Sequence, residues 1–465
     1  MADIVTRHTN KKVFSVYSSL NLNSDSKRKW KPVTVQEIYS FMAILICSGV
    51  NNSNTDHVSD MWHSSSYPLY RATIGINRFR NIMRFIRFDD ANTRKQRKKS
   101  DKAAPIRDIW TMLNKNLSQI YKPTDNLTVD EQLYPFRGRT KFTQYIPSKP
   151  AKYGIKIWWV CDAENAFPLN GIIYTGKTGH TREKNQGERV VKELAVAYKG
   201  SGRNIFMDNF FTSLSFAQQL LSWNLTIVGT LKKNKPYIPP IMGPNKSGEL
   251  YSSLFAFHEN ITMCSYVPKK KKSVILLSTM HSDIAVNEDL KKKPHIITYY
   301  NKCKTGVDTM DQMISRYTTQ RRTLRWPLVM FFNMLDISTL ASYLIYYENR
   351  KMMKKKTNQR RLFMRQLSEE LAKPMIIIRY QNLQVRRHYN TKIAIESVIG
   401  QQSVLVKENH LEEKKLLVLA IFVTNSQQRR EEKQERVALN SIILCVTNIH
   451  LVLLNVLNVI YEFFC

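Results

Sequence analysis

The sequence predicts an α/β fold in which a mixed sheet with flanking helices follows a helical N-terminal region and is interrupted by a β-rich insertion. Three observations carry this prediction. Apolar residues recur at helical spacing through the first 120 residues. Near Asn126 the pattern changes to short β-branched and aromatic runs. Those runs come first as successive strands and then as strand–helix–strand, the order expected of a mixed sheet with helices packed on it.

The elements follow in order. Trp30-Lys31-Pro32 closes an irregular start, and Thr34-Val-Gln-Glu37 fits a capping box that opens a helix running to Cys47, with Gly49 as its stop. A second helix runs from Asn77 to Phe88. Phe79, Ile82, Met83 and Ile86 form its apolar stripe, and Arg80, Arg84 and Arg87 a basic one. A buried face and a basic face on one helix suit a DNA-contacting element and equally an ordinary solvated helix. Arg94 to Lys102 reads as a charged connector. A third helix starts at Pro105, with Ile106, Ile109, Trp110, Leu113, Leu117 and Ile120 inward.

Leu127–Val129 leads to Asp130, Tyr153–Cys161 ends at Asp162, and Asn170-Gly171 signals a turn from which Ile172–Tyr174 returns. Asn204–Met207 ends at Asp208, Ser213–Trp223 reads as a helix and Leu225–Leu231 as a strand. In residues 236–297, Pro236, Pro239, Pro240 and Pro244 break the pattern. Ile261–Val267 and Ser273–Met280 flank Lys269–Lys272 there, as in a hairpin-bearing insertion. Helix resumes at Thr305. Trp326–Tyr347 carries only Asp336 as a charge, and its length would span a bilayer, but both flanks favour a helix buried against the sheet. The domain reading is 1–120 helical, 121–235 with 298–385 as the split sheet domain, 236–297 as the insertion, and 386–465 as an atypical tail.

Composition narrows the function. Among 465 residues, 71 Lys+Arg against 37 Asp+Glu give a net charge of +34 and a pI of about 9.9. Such a charge excludes a neutral globule and favours a polyanionic partner, while 43% apolar and 11% aromatic residues suffice for real cores. Six scattered cysteines without C-x-x-C make a disulfide framework or a cysteine zinc site unexpected and suit a reduced compartment. The first 20 residues lack a secretory-type apolar core. Basic runs at Lys269–Lys272, Lys291–Lys293 and Lys354–Arg361 suit nuclear import or phosphate contact, pointing to the nucleus.

The tail changes character again. Residues 411–436 are highly charged, whereas Val437–Tyr461 has no charge and is a weak membrane-span candidate. Asn440, Asn448, His450, Asn455 and Asn458 argue against insertion. A packing helix, a weak anchor and a reading-frame artefact stay open.

Cutting DNA phosphodiesters calls for carboxylates on rigid elements, able to hold divalent metals. Asp130, Asp162 and Asp208 end apolar runs, and Asp308 and Asp311 share a helical face. Spacing alone does not choose among them.

Longer motifs do. Thr128-Val-Asp-Glu-Gln-Leu133, Phe136-Arg-Gly-Arg139 and the run Tyr145 to Lys156 resemble the core of the piggyBac family of DNA transposases. So do the run Asn204 to Ser213, Leu225-Thr-Ile-Val-Gly-Thr230, and Tyr300-Asn301 through Gln312. Upstream, Arg84 to Asp90 and Asp101 to Arg107 match as well, so the resemblance covers roughly residues 30 to 380 in order.

The resemblance implies an RNase H-like catalytic fold behind a helical dimerisation and DNA-binding region. Its metal site would comprise Asp130, Asp208 and Asp308, with Asp311 assisting, and hold two Mg²⁺ or Mn²⁺ ions. Asp162 falls outside the family's motifs and becomes a strand-end residue. Trp326 matches a tryptophan near the DNA ends, or serves as a core aromatic. Arg137, Arg139, Lys149, Lys152 and Lys156 would contact DNA phosphates, positioning rather than specifying. The implied activity is cut-and-paste transposition at TTAA sites by a homodimer. The family's cysteine-rich zinc domain has no counterpart around Cys445 and Cys465, and its acidic leader is missing. No zinc is expected, and a transposon-derived DNA-binding protein without catalysis is the alternative.

Overall fold

Hydrophobic stripes assemble this chain into two units. Among the described residues, Met1–Gln96, Tyr317–Arg322 and those from Ile345 form one, and Arg97–Arg316 with Thr323–Leu344 form the other. The computed structural model describes residues 1–21, 30–176, 183–243, 249–349 and 359–400. The readings of 411–436 and 437–461, Cys445 and Cys465, Pro244 and most of Lys354–Arg361 lie outside the described residues.

The first unit opens with a helix, α1 (Ala2–Asn21), where an irregular start was predicted. Ala2, Val5, Thr9 and Val13 are fully buried at helical spacing, and the polar Thr9 disguises the stripe. Thr9 accepts the Arg87 amide, and Asn10 accepts the Val33 amide at 2.7 Å. Helix α2 (Val35–Val50) starts with the expected capping box, with both the Thr34 and Glu37 bonds present. Short helices α3 (Val58–Met61) and α4 (Pro68–Thr73) lead to α5 (Ile76–Phe85). The predicted charged connector is instead helix α6 (Ala91–Ser100), which buries no side chain. Asp90 accepts the Asn92 amide at its start, Lys and Arg are good helix formers, and basic residues in its last turn complement the helix dipole.

Past α6 the second unit continues with α7 (Arg107–Ile120), followed by β1 (Asn126–Pro135), β2 (Thr143–Tyr145), β3 (Tyr153–Asp162) and β4 (Pro168–Ile173). Then come α8 (Gln186–Ala195), β5 (Asn204–Met207), α9 (Leu214–Leu221) and β6 (Thr226–Thr230). β4, β3 and β1 are antiparallel neighbours, whereas β1, β5 and β6 run parallel. That order, 4-3-1-5-6, is the RNase H-like mixed sheet. The 236–297 segment supplies β7 (Ser253–His258), β8 (Ile261–Lys269) and β9 (Lys272–Ser278), and β9 pairs antiparallel with β6. Its hairpin therefore prolongs the same sheet.

Asn170-Gly171 does not form the predicted turn; both lie inside β4. The turn falls earlier, at Ala163–Phe167, where Ala166 takes φ +63°. Gly171 is required by packing, since a Cβ there would sit 2.8 Å from the Trp159 ring. Its carbonyl accepts from Trp110 Nε1 at 3.0 Å and Asn114 Nδ2 at 2.8 Å, which docks α7 on the sheet.

Helices α10 (His295–Cys303) and α11 (Gly306–Arg316) follow, and Ile296, Ile297 and Tyr300 pack with Phe206, Val228 and Leu276. α12 (Trp326–Glu348) is the uncharged stretch. It is the one helix among the described residues long and apolar enough to cross a membrane, and its most apolar window is 89% buried, as a core helix would be. Asp336 within it is buried and accepts from the Tyr134 hydroxyl at 2.9 Å. In the first unit, α13 (Gln359–Gln381) packs along α2 and α4, and α14 (Leu383–Arg386) follows it.

Candidate active site

Two aspartates stand side by side on the central strands of the sheet, where the parallel pairing of β1 and β5 ends, because of strand register. Val129 of β1 is level with Met207 of parallel β5, so Asp130, still within β1, and Asp208, the first residue past β5, fall at the same height. Parallel strands lie about 4.8 Å apart, so the two carboxyls begin as neighbours. Asp208 then turns the chain: its Oδ1 accepts the Phe210 amide at 2.8 Å and its carbonyl accepts the Thr212 hydroxyl at 2.8 Å.

The remaining pair arrives on α11. Thr128 Oγ1 donates to the Cys303 carbonyl at 2.7 Å, tying β1 to the chain just ahead of α11. Gly306 permits the close approach, since a Cβ there would sit 3.0 Å from Thr128 Oγ1. Asp308 lies in the first turn and is largely exposed, whereas Asp311, one turn on, is half-buried.

Two residues whose roles sequence reasoning missed organise this site. Gln132, fully buried, donates Nε2 to Asp311 Oδ1 at 2.7 Å. Its Oε1 accepts from Trp159 Nε1 at 2.9 Å and Asn333 Nδ2 at 3.2 Å, which fixes the amide's orientation. Strand alternation places Gln132 on the same face as Asp130, and that was the available signal. Lys149, predicted as a phosphate contact, points inward instead. Its ammonium donates to Asp308 Oδ1 at 3.2 Å and to the Glu131 carbonyl at 2.9 Å, with Glu131 Oε1 at 3.9 Å.

The electrostatics match this crowding. Burial pushes the Asp130 carboxyl well up, reinforced by Glu131 and Asp208 and opposed by Lys149. Burial raises Asp208 and Asp311 as well. Burial pulls the Lys149 ammonium down, but Asp130, Asp308 and Glu131 together outweigh it and hold it raised.

The other predicted contacts divide. Arg137, Arg139 and Lys152 are exposed, with Arg137 over the Tyr153 ring. Lys156 lies within 4.5 Å of both the Trp158 and Tyr174 ring centres and 5.7 Å from Phe210, and burial lowers its pKa. Trp326 is half-buried, edge-on to Phe142 at 5.1 Å. In the first unit, Arg80 is exposed and bonds Ser59, and Arg84 is exposed over Phe85. Arg87 folds back onto the carbonyls of Phe85 and Ile86, closing the end of α5 and leaving the predicted basic stripe. Asp162 is a structural strand end, accepting from Tyr121, Thr124 and the Glu164 amide.

Among the described residues, no three His, Cys, Asp or Glu side chains stand in metal-ligating array. The donor chemistry nonetheless fits a hard divalent cation: carboxylates gathered from β1, the end of β5 and α11, of which Asp130, Asp208 and Asp311 are raised by burial, with one lysine among them.

An RNase H-like sheet with carboxylates where the parallel pairing of its central strands ends defines a class of nucleic-acid-processing enzymes. The family described as Transposase IS4 matches residues 8–343. A solved piggyBac transposase, in a synaptic complex with hairpin DNA, superposes with a TM-score of 0.78 at 35% identity, covering 85% of this chain and 82% of that one. This chain belongs to the piggyBac transposase family. Human piggyBac transposable element-derived protein 2 is 22% identical over 333 residues, 66% of this chain. Human piggyBac transposable element-derived protein 3 is 25% identical over 265 residues, 50% of this chain. This chain spans 55% and 43% of those two relatives' lengths, about half.

Proposed function

We propose that this chain is a divalent-metal-dependent DNA transposase that cuts and rejoins double-stranded DNA at TTAA sequences, acting as a homodimer in the nucleus. The observation that carries the reading is the level placement of Asp130 in β1 and Asp208 just past parallel β5, with α11 docked beside them. Asp130, Asp208 and Asp308 would hold two Mg²⁺ or Mn²⁺ ions, with Asp311 assisting. When bound, such ions lower the pKa of water and offset charge building on phosphoryl oxygens.

The chain's own groups do the positioning. Gln132 holds Asp311 in one orientation through its bonds to Trp159 and Asn333. Arg137, Arg139 and Lys152, exposed beside β1 and β3, would grip phosphates and carry little sequence information. Trp326 would lie near the DNA ends, and Arg80 and Arg84 would add backbone contacts. The hairpin DNA held by the solved relative supports a sequence of nicking, hairpin formation by the freed 3′-hydroxyl, reopening and joining.

The test uses DNA carrying the gene's own flanking terminal sequences bounded by TTAA. Mg²⁺-dependent nicking should be lost in Asp208→Asn, with the fold intact by circular dichroism. Undiminished nicking in that variant refutes the assignment. A second reading, a DNA-binding descendant without catalysis, draws support from the relatives named as element-derived proteins. It predicts DNA binding by wild type and Asp130→Asn alike, with no nicking in Mg²⁺ or Mn²⁺.

A further inference from the structure

Lys149 is neither a surface lysine nor placed to reach outward for a phosphate. It sits in the turn between β2 and β3, between Pro147 and Pro150, whose rings fix the backbone on either side. The turn is closed by the Lys149 amide on the Ile146 carbonyl at 3.2 Å, Lys152 on Lys149 at 3.0 Å, and Ile146 on Lys152 at 2.8 Å. From this frame the side chain, 16% exposed, runs inward to Asp308 Oδ1 and the Glu131 carbonyl. A lysine on so stiff a loop, seated between carboxylates of β1 and α11, is a built arrangement.

We propose that Lys149 is a tethered counter-ion that competes with divalent cations for Asp308 and the neighbouring carboxylates. The inference rests on the reading of Asp130, Asp208 and Asp308 as cation ligands. An ammonium 3.2 Å from Asp308 Oδ1 occupies one approach to that carboxylate and repels a second cation arriving beside it. Loading a divalent ion therefore displaces Lys149, and the displaced ammonium becomes available to a DNA phosphate at the same site. Because coupling is reciprocal, DNA that captures Lys149 also strengthens cation binding. The lysine thus makes the site wait for its substrate: cation and DNA load together better than either alone.

The experiment titrates Mn²⁺ into the full-length protein without DNA, by calorimetry and by free-ion electron paramagnetic resonance. Wild type, Lys149→Met, Lys149→Gln, Lys149→Arg and Asp208→Asn are compared. Lys149→Met and Lys149→Gln should bind Mn²⁺ about tenfold tighter, the scale of one screened contact between charges. Lys149→Arg, which keeps the charge, should stay near wild type. Adding a short duplex should tighten Mn²⁺ binding in wild type and leave Lys149→Met unchanged. Wild-type binding that is lost in Asp208→Asn but equal in Lys149→Met overturns this inference alone. Binding indifferent to Asp208→Asn, or no binding in any variant, overturns the metal-site reading and this inference with it.

Discussion

Replacing Gln132 with leucine should destabilise the sheet far more than its conservative volume suggests. The side chain is fully buried and makes three bonds: to Asp311 Oδ1 at 2.7 Å, from Trp159 Nε1 at 2.9 Å and from Asn333 Nδ2 at 3.2 Å. Leucine fills the space but strands two donors and weakens the setting of a half-buried carboxylate. Each unsatisfied buried group costs roughly 1–3 kcal/mol, and gaining an apolar side chain returns part of it, so the net loss should be about 3–5 kcal/mol. Gln132→Glu keeps the acceptor for Trp159 and Asn333 but turns a carboxylate toward Asp311. Its penalty should therefore shrink as the pH falls and one of the two carboxyls takes a proton. Hydrogen exchange of β1 and β3 amides in chelator, across a pH series, reads both effects on the unit concerned. A Gln132→Leu loss below about 1 kcal/mol, or a Gln132→Glu penalty independent of pH, would refute the orienting role given to this amide.

Three further expectations follow from other parts of the chain. Tyr134→Phe removes the 2.9 Å bond to Asp336, a carboxylate buried within α12, and should cost about 2 kcal/mol, read as a lowered urea midpoint with unchanged slope. Arg137→Ala with Arg139→Ala should weaken DNA binding evenly across sequences and flatten the salt dependence of log K by about 1.8, or 0.9 for each phosphate no longer neutralised; an unchanged slope places these exposed guanidinia off the DNA path. His281 is held below its ordinary value of 6.5, first by burial, while its ring bonds Ser278 at 2.9 Å. A histidine depressed in the fold contributes stability that is fully present above 6.5 and lost as pH falls through the lower folded value, so His281→Gln should flatten the acid-side decline in melting temperature.

What the sequence shows about this fold is uneven for physical reasons. Local signals were legible. The Thr34–Glu37 capping box is present on α2, and the apolar runs leading to Asp130, Asp162 and Asp208 lie in β1, β3 and β5, although β1 continues past Asp130 to Pro135. The uncharged stretch from Trp326 is a buried helix, and its buried acidic residue, Asp336, is accommodated there by the Tyr134 hydroxyl. Misreadings arose where a distant contact decides the local structure. α1 buries Thr9, a polar residue whose hydroxyl accepts the amide of Arg87. Asn170-Gly171 looks like a turn until the Trp159 ring claims the space a side chain would need. Arg87 lies on the basic stripe in a helical projection, but α5 ends at Phe85, so the guanidinium curls onto the last carbonyls.

The same distinction applies at the active site, and there it bears on mechanism. Resemblance and strand ends nominate acidic residues because carboxylates are the chemistry one looks for in phosphodiester cleavage. They do not say which groups hold those carboxylates apart. Asp130, Asp208 and Asp311 are all raised by burial, so the fold alone pays for assembling like charges at one place. Two side chains separated from α11 by well over 100 residues manage that strain differently: Gln132 neutralises nothing and fixes direction, whereas Lys149 supplies charge and can be exchanged. A neutral, buried orienter should matter equally with and without divalent ions, since no ion replaces its hydrogen bonds. A charged, partly exposed partner should matter most before ions arrive. The ratio of the two substitution effects, measured in chelator and in Mn²⁺, therefore separates a site built to stay assembled from one built to be switched on.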